Sequence, residues 1–222
     1  MTAPCRTTAV LWILLFFFTT IHSDQSPITI LRRRTAYHGK FSNMTVVDFL
    51  KRSGAPGVWE FMESITPKNL DGIDGVHVIA RLRSQGQFYF VFTKQYRFPS
   101  NSWTLEFPGG IQESDESSTE AGLRELREET GYTAARTLFS STGKQASMPS
   151  RLNDAARHVV VEIDKDTGNN LAPQQFLDDS EMVEVVLIEE SKLLPTIQSL
   201  EKELDIATNV YTFALGYAMR DL

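Results

Sequence analysis

At 222 residues the chain is long enough for one sizeable domain plus an appendage. A net charge of −6 and a pI near 5.3 argue against a nucleic-acid backbone as partner, since that binding calls for a basic surface. The one cysteine, Cys5, sits at the extreme amino terminus, which leaves the rest of the chain without disulfides or thiol chemistry.

Residues 1–23 read as a signal peptide. Arg6 is the only charge before Asp24, and Ala9–Ile21 is an almost unbroken apolar run of thirteen residues. That length suits a signal-peptide core and falls short of the roughly 20 residues of a membrane span. Cleavage after Ser23 would deliver the chain to the secretory pathway or the exterior, with no stable membrane span left. The alternatives are a membrane-anchored form, with Arg32–Arg34 favouring a cytoplasmic carboxyl side, or an organellar leader, for which the stretch is too apolar and too poor in arginine. Asn43-Met44-Thr45 is a glycosylation sequon, used only on the secretory route.

Residues 24–60 read as an amino-terminal arm, with short apolar runs at 28–31 and 44–50 and a turn cluster at Gly54-Ala55-Pro56-Gly57. A strand is expected over Val58–Met62. Its Trp59 suits either a core or interface anchor or a stacking platform for a base. The remainder, 61–222, reads as the main domain. Gly75–Arg83 alternates apolar and polar residues, as a half-buried strand does, and Gln87–Arg97 is a denser apolar run suited to a central one. Ser84-Gln85-Gly86 turns between them.

The chemistry gathers between Gly109 and Tyr132. Gly110 is followed after five residues by Glu116, and after seven more by Arg124-Glu125-Leu126-Arg127-Glu128-Glu129-Thr130-Gly131-Tyr132. Ser117 and Glu120 form a capping-box pair that predicts a helix start, and Gly131 can take the left-handed conformation that ends it. Glu125 and Glu129, four apart, share one helical face, with Glu128 beside them, while Leu123 and Leu126 can face the core. The segment holds seven acids against two arginines, so its net of −5 nearly accounts for the charge of the whole chain. Like charges at this spacing weaken an isolated helix by about 0.2–0.5 kcal/mol per pair, which a divalent cation would offset. A solvated helix with ion pairs from Glu120 to Arg124 and Arg127 is the bland alternative.

After the helix a strand is expected over Tyr132–Phe139, a polar loop over Ser140–Asn153, a strand within Ala155–Asp164 and a long polar loop over Asp164–Ser180. Another strand starts at Glu181. Lys192–Leu204 and Asp205–Met219 carry apolar residues at helical spacing. His158 reads as a sheet histidine with no catalytic role.

The stretch 110–132 resembles the Nudix box, G-x5-E-x7-R-E-U-x-E-E-x-G-U with U apolar, at every fixed position. The flanking Lys94-Gln95-Tyr96-Arg97 and Glu106-Phe107-Pro108-Gly109-Gly110 are similar to those of the ADP-sugar diphosphatase (ADP-ribose pyrophosphatase) subgroup. The resemblance, extending over about Trp59–Met219, implies an α/β fold: the Nudix α/β/α sandwich with a mixed sheet, here with an amino-terminal β arm. It implies hydrolysis of the diphosphate of ADP-ribose or a related ADP-sugar to AMP and ribose 5-phosphate. Mg²⁺, with Mn²⁺ as substitute, would be held by Glu125, Glu129 and the Gly109 carbonyl, with Glu128 at a second ion or its waters. Arg124 would orient the glutamates and Glu116 support the loop. The same resemblance has Trp59 stack on adenine, Arg97 contact the diphosphate, Glu106 support substrate or loop, and Met148 line the pocket. Glu181, before the Val183-Glu184-Val185 run, would be the general base, although Ser180 stands where the subgroup has glycine. Ser64 occupies the place of a phosphate-holding arginine, which puts that contact in doubt. A homodimer is implied, with the arm helping to build the partner's site. Competing functions are a Nudix enzyme for another nucleotide-sugar or an oxidised nucleoside diphosphate, and a catalytically idle nucleotide-binding module.

Overall fold

The computed structural model describes residues 28–65 and 72–220; the signal-peptide reading of 1–23 lies outside the described residues. The described chain opens with three strands, β1 (Thr29–His38), β2 (Ser42–Leu50) and β3 (Pro56–Ser64), in a three-stranded sheet of that order. β1 is exposed along its whole length, whereas β2 buries Thr45 and Val46. The chain divides into two compact units: the described part of Met1–Arg33 with Val47–Trp59, and Arg34–Val46 with the described part of Glu60–Leu222. The turn cluster at 54–57 lies in the first. There Gly57 runs against Phe49, where a Cβ would come within 2.6 Å of the ring.

The second unit is built on a nine-stranded mixed sheet. Its first two strands show the two burial patterns expected. β4 (Gly75–Ser84) buries alternate residues, Val76, Val78, Ala80 and Leu82. β5 (Gln87–Arg97) buries Phe90, Val91, Phe92 and Thr93 in succession, as a strand covered on both faces must. The hairpin between them turns on Gln85 and Gly86, at φ 48° and 80°, the sign that matches the twist of the flanking strands.

The other strands are β6 (Ser102–Glu106), β7 (Gly109–Ile111), β8 (Arg136–Ser140), β9 (Gln145–Ala146), β10 (Ala155–Asp164), β11 (Val183–Glu189) and β12 (Asp205–Ile206). The main path runs β12-β6-β5-β4-β10-β8, with β11 on β5, β7 on β4 and β9 on β10. β10 runs parallel to β4 and β12 parallel to β6; the remaining pairs are antiparallel. Among the described residues the α-helices are α1 (Ser118–Thr130), α2 (Leu193–Leu200) and α3 (Thr208–Met219).

Two apolar clusters make the layers. Val78, Ala80, Leu82, Val91, Val159 and Val161 pack with Leu126 of α1 on one face. Phe90, Phe92, Leu105 and Ile188 pack with Leu193 and Ile197 of α2 and Val210 and Ala214 of α3 on the other. Successive β5 residues thus enter opposite layers, which is the expected α/β/α sandwich with a mixed sheet.

The sheet also makes the opening for a site. β4 pairs with β5 only over Ala80–Ser84; over Gly75–His77 it pairs with β7. β5 in turn takes β6 as its partner from Thr93 onward. The two strands part, and residues 102–111 fill the fork, with the Val78 N–H donating to the Pro108 carbonyl at 2.7 Å.

Several boundaries differ from expectation, each for a packing reason. The helix expected over 192–204 is a 3₁₀ turn at Glu190–Lys192 followed by α2, and it ends in turns where the Glu203 and Leu204 N–H groups share the Leu200 carbonyl. Asp205–Ile206 do not begin α3: they pair with Thr104–Leu105 and satisfy the edge of β6. The strand after the box begins at Arg136 rather than Tyr132, because Tyr132 is buried in the α1 layer and the Thr133 N–H is taken by the Asn170 side chain. The expected strand at Glu181 starts at Val183, leaving Glu181 in a turn.

Candidate active site

The box helix starts and stops where its sequence directs. The Ser117 side chain accepts from the Glu120 N–H, and the Glu120 carboxylate accepts from the Ser117 N–H, completing the capping box. Gly131 ends the helix at φ 73°. It also packs so closely on the loop at Gln174 that a Cβ there would lie 2.4 Å from the Gln174 nitrogen. Only glycine meets both demands.

Arg124 is the hub of the carboxylates. Its guanidinium donates to Glu116 through Nε and Nη2 at 3.2 and 2.7 Å, and through Nη1 to Glu125 at 2.9 Å and Glu128 at 3.1 Å. Nη2 also donates to the Ile111 carbonyl at 3.0 Å. The box arginine therefore ties three acids to the loop that precedes the helix. The Glu116 carboxylate closes that loop by accepting from the Glu113 N–H at 2.9 Å, and Arg124 holds its carboxyl below the usual range. Gln112 helps: it donates to the Glu116 carbonyl and accepts from the Ser118 hydroxyl.

Glu129 is the most deeply placed acid, 5 % exposed. Its Oε2 accepts from the Gly109 N–H at 2.8 Å, which joins two of the expected metal ligands directly. Burial pushes its pKa up to about 8, the Gly109 bond opposes this, and the negative charges of Glu125 and Glu181 add to it. Glu125 is likewise pushed up by burial, against the pull of Arg124. Its carboxylate lies over Gly110, where a Cβ would come within 2.4 Å of Oε1. A side chain at Gly110 would occupy the space this carboxylate uses.

One buried and one half-buried carboxylate that resist ionisation, with a third beside them, favour a cation, and an all-oxygen donor set fits a hard divalent one. Among the described residues no three acid, histidine or cysteine groups already converge as a metal cage. The Arg124 fork currently takes oxygens of Glu125 and Glu128, and the expected set adds a backbone carbonyl rather than a third carboxylate.

The adjoining cleft, about 360 Å³, is lined by Arg97, Glu106, His77, Gly109, Gly110 and Asp154 among others. Arg97 and Glu106 form a two-pronged pair across the β5–β6 ladder, with both bonds at 2.7 Å. Glu106 raises the Arg97 pKa further, so this guanidinium stays charged and is aimed by its partner. His77, which the sequence reading passed over, faces the same cleft. Burial and the neighbouring His158 ring, 5.4 Å away centre to centre, push its pKa down to about 4, so it is neutral at pH 7. Its signal in the sequence is only that of one polar position in an alternating strand.

Glu181 sits in a tight turn: its N–H donates to the Asp178 carbonyl and its carboxylate accepts from the Asp178 N–H, both at 2.9 Å. Its charge is felt at Arg97, Glu125 and Glu129, which brings it into the electrostatic neighbourhood of the cluster. Met148 is half exposed and caps the turn at Arg151 and Leu152; its neighbour Ser147, not Met148, lines the cleft. Trp59 belongs to the first unit, on β3, and is half exposed. The Ser64 N–H bonds the Asn153 side chain, holding the end of β3 against the loop before β10.

An α/β/α sandwich with an arginine-centred carboxylate cluster on a helix beside an arginine-lined cleft suits a hydrolase of phosphorus anhydrides that uses a divalent cation. The comparisons with known proteins agree. The NUDIX domain model matches residues 73–205. The protein named putative nudix hydrolase 2 of Caenorhabditis elegans is 33 % identical over 192 residues, covering 86 % of this chain and 85 % of that one. The protein named ADP-sugar pyrophosphatase of Mus musculus is 31 % identical over 184 residues, covering 82 % and 83 %. A crystal structure described as an ADP compounds hydrolase shares the fold, with a TM-score of 0.58 at 22 % identity over 87 % of this chain and 92 % of that chain. The chain belongs to the Nudix hydrolase family.

Proposed function

We propose that this protein hydrolyses the diphosphate of ADP-ribose, or of a related ADP-sugar, to AMP and ribose 5-phosphate. The observation that carries the reading is the Arg97–Glu106 pair, which aims a fixed positive charge into a cleft bordered by Gly109 and the box glycine Gly110. A guanidinium so held suits diphosphate oxygens, which it can meet with its outward N–H groups. The mouse relative's name supports the choice of an ADP-sugar.

Mg²⁺, or Mn²⁺ in its place, would be held by Glu125, Glu129 and the Gly109 carbonyl, with Glu128 serving a second ion or its waters; bound there it would neutralise the diphosphate and acidify a water. Arg124 keeps Glu125 and Glu128 in place and prevents the acids from splaying apart. Arg97 orients the diphosphate. Glu181 takes the proton of the attacking water as the oxygen bonds to phosphorus and the bridging oxygen leaves with the other phosphate. The stacking of Trp59 on the base belongs to the same proposal and comes from the resemblance alone.

The test is AMP release from ADP-ribose by the purified protein, with Mg²⁺ and with chelator, beside a panel of other nucleoside diphosphate derivatives. Rapid, metal-dependent release that exceeds the rest of the panel is expected. Preference for a guanine nucleotide-sugar or an oxidised nucleoside diphosphate would replace the substrate and leave the metal chemistry standing.

We further propose a homodimer built through the arm, residues 24–60, and export through the secretory pathway. The first is supported by a strand exposed at every position, with Ile30 and Leu31 each more than half exposed. The second rests on the sequence of residues 1–23. Amino-terminal sequencing of the mature protein that begins at Met1 or Thr2 would remove it. Among the described residues no helix is long and apolar enough to cross a membrane.

A further inference from the structure

The loop between β10 and β11 is fastened to the far end of the box helix at several points. Upstream, Asn170 is buried and its amide donates to the carbonyls of Thr133 and Asp164, while its oxygen accepts from the Thr133 N–H. Further on, the Phe176 N–H donates to the Glu128 carbonyl at 2.8 Å, and the Phe176 ring faces the Arg127 guanidinium. Between these lies Gln175. Its side-chain nitrogen donates to the Glu129 carbonyl at 2.5 Å and to the Val183 carbonyl at 3.1 Å.

The last carbonyls of a helix have no partner within it. Here the final turn is satisfied in order: the Arg127 carbonyl by the Gly131 N–H, Glu128 by Phe176 and Glu129 by Gln175. Two of these three carbonyls belong to the acids expected to serve the metal. Gln175 alone of the three donors also grips the first residue of β11, and Glu181 stands two residues before that point.

We propose that Gln175 is a positioning residue for hydrolysis: its amide locks the end of the box helix to the start of β11 and so sets where Glu181 stands against the carboxylates. This rests on the reading that Glu181 handles the attacking water. Both amide hydrogens are committed, and they go to two elements that carry opposite sides of the reaction. Gln175 has no part in the hydrophobic clusters and is exposed beyond its amide, so Gln175→Leu removes the two bonds without emptying a core.

The experiment compares the full chain with the Gln175→Leu, Glu181→Gln and double variants, on whichever panel diphosphate the unaltered protein cleaves fastest with Mg²⁺. Gln175→Leu is expected to lower kcat about tenfold or more, with KM within twofold and Mn²⁺ affinity within threefold. In the Glu181→Gln background the same change is expected to cost less than twofold, because the group it positions is already gone. An unchanged kcat overturns the proposal. So does a loss that multiplies in full in the Glu181→Gln background, or one that tracks Mn²⁺ affinity, since either makes Gln175 a helix cap alone. A Glu181→Gln variant as active as the parent also overturns it. Cleavage of another diphosphate in preference to ADP-ribose overturns only the substrate, and cleavage of none overturns both readings.

Discussion

Glu129 shows how a residue's chemistry is set by its surroundings. A glutamate on an exposed helix face ionises near pH 4.5, but burial here pushes it up to about 8. A folded-state pKa above the unfolded value means that the folded state holds the proton more tightly. The stability this contributes is present in full below the unfolded pKa and is lost as pH rises through about 8. In chelator, the melting temperature of the protein should therefore decline over that interval. Glu129→Gln, which keeps the shape without the charge, should flatten the decline while lowering metal-dependent turnover at least about 100-fold. A scan of melting temperature against pH, with and without the substitution, checks the first; a steady-state assay checks the second. Arg124 makes five bonds in a planar fork, to three acids and a carbonyl. Lysine retains the charge but not the fork, so Arg124→Lys should lower kcat about 10- to 100-fold with a smaller change in KM. Arg97→Lys should do the reverse and act mainly on KM, since it loosens the contact with the diphosphate.

At the scale of elements, the box helix is defined at both ends by local chemistry, and the ends differ in what they would cost. Ser117→Ala removes one reciprocal cap and should destabilise by about 1 kcal/mol in a urea titration. Gly131→Ala should cost about 2 kcal/mol or more, because a positive φ is compounded by collision with the Gln174 backbone. If the two substitutions cost the same, the contact with the loop would contribute little. The helix positions were legible in the sequence because caps and the spacing of Glu125, Leu126 and Glu129 act within a few residues. The strand at β12 was not: Asp205–Ile206 follow a helical pattern, and their extended form comes from pairing with Thr104–Leu105, a hundred residues away in the chain. The clamp by Gln175 was equally hidden, since a glutamine in a polar loop has no spacing that marks it.

For the whole molecule, the acids of the box explain both the charge and the need for metal. Most of the net −6 lies in one segment, so an anionic substrate meets repulsion at the place where it must bind unless a cation intervenes. A divalent ion that binds only the folded protein should stabilise it by about 2.7 kcal/mol at a hundred times its Kd, and Glu129→Gln should abolish that gain. Calorimetry with and without Mg²⁺ reads it directly. Light scattering should give twice the chain mass if the exposed β1 is covered by a second copy.

The division between chain and fold follows from the range of the interactions involved. Box spacing, helix caps, strand alternation and the Arg97 and Glu106 motifs could be read from the residues, because each expresses a local periodicity or a turn with few residue choices. The depth of Glu129, the neutrality of His77, the fork between β4 and β5 and the fastening of the 165–182 loop could not. Desolvation and strand partnering depend on which distant segments cover a group, and a sequence lists those segments without saying which of them meet.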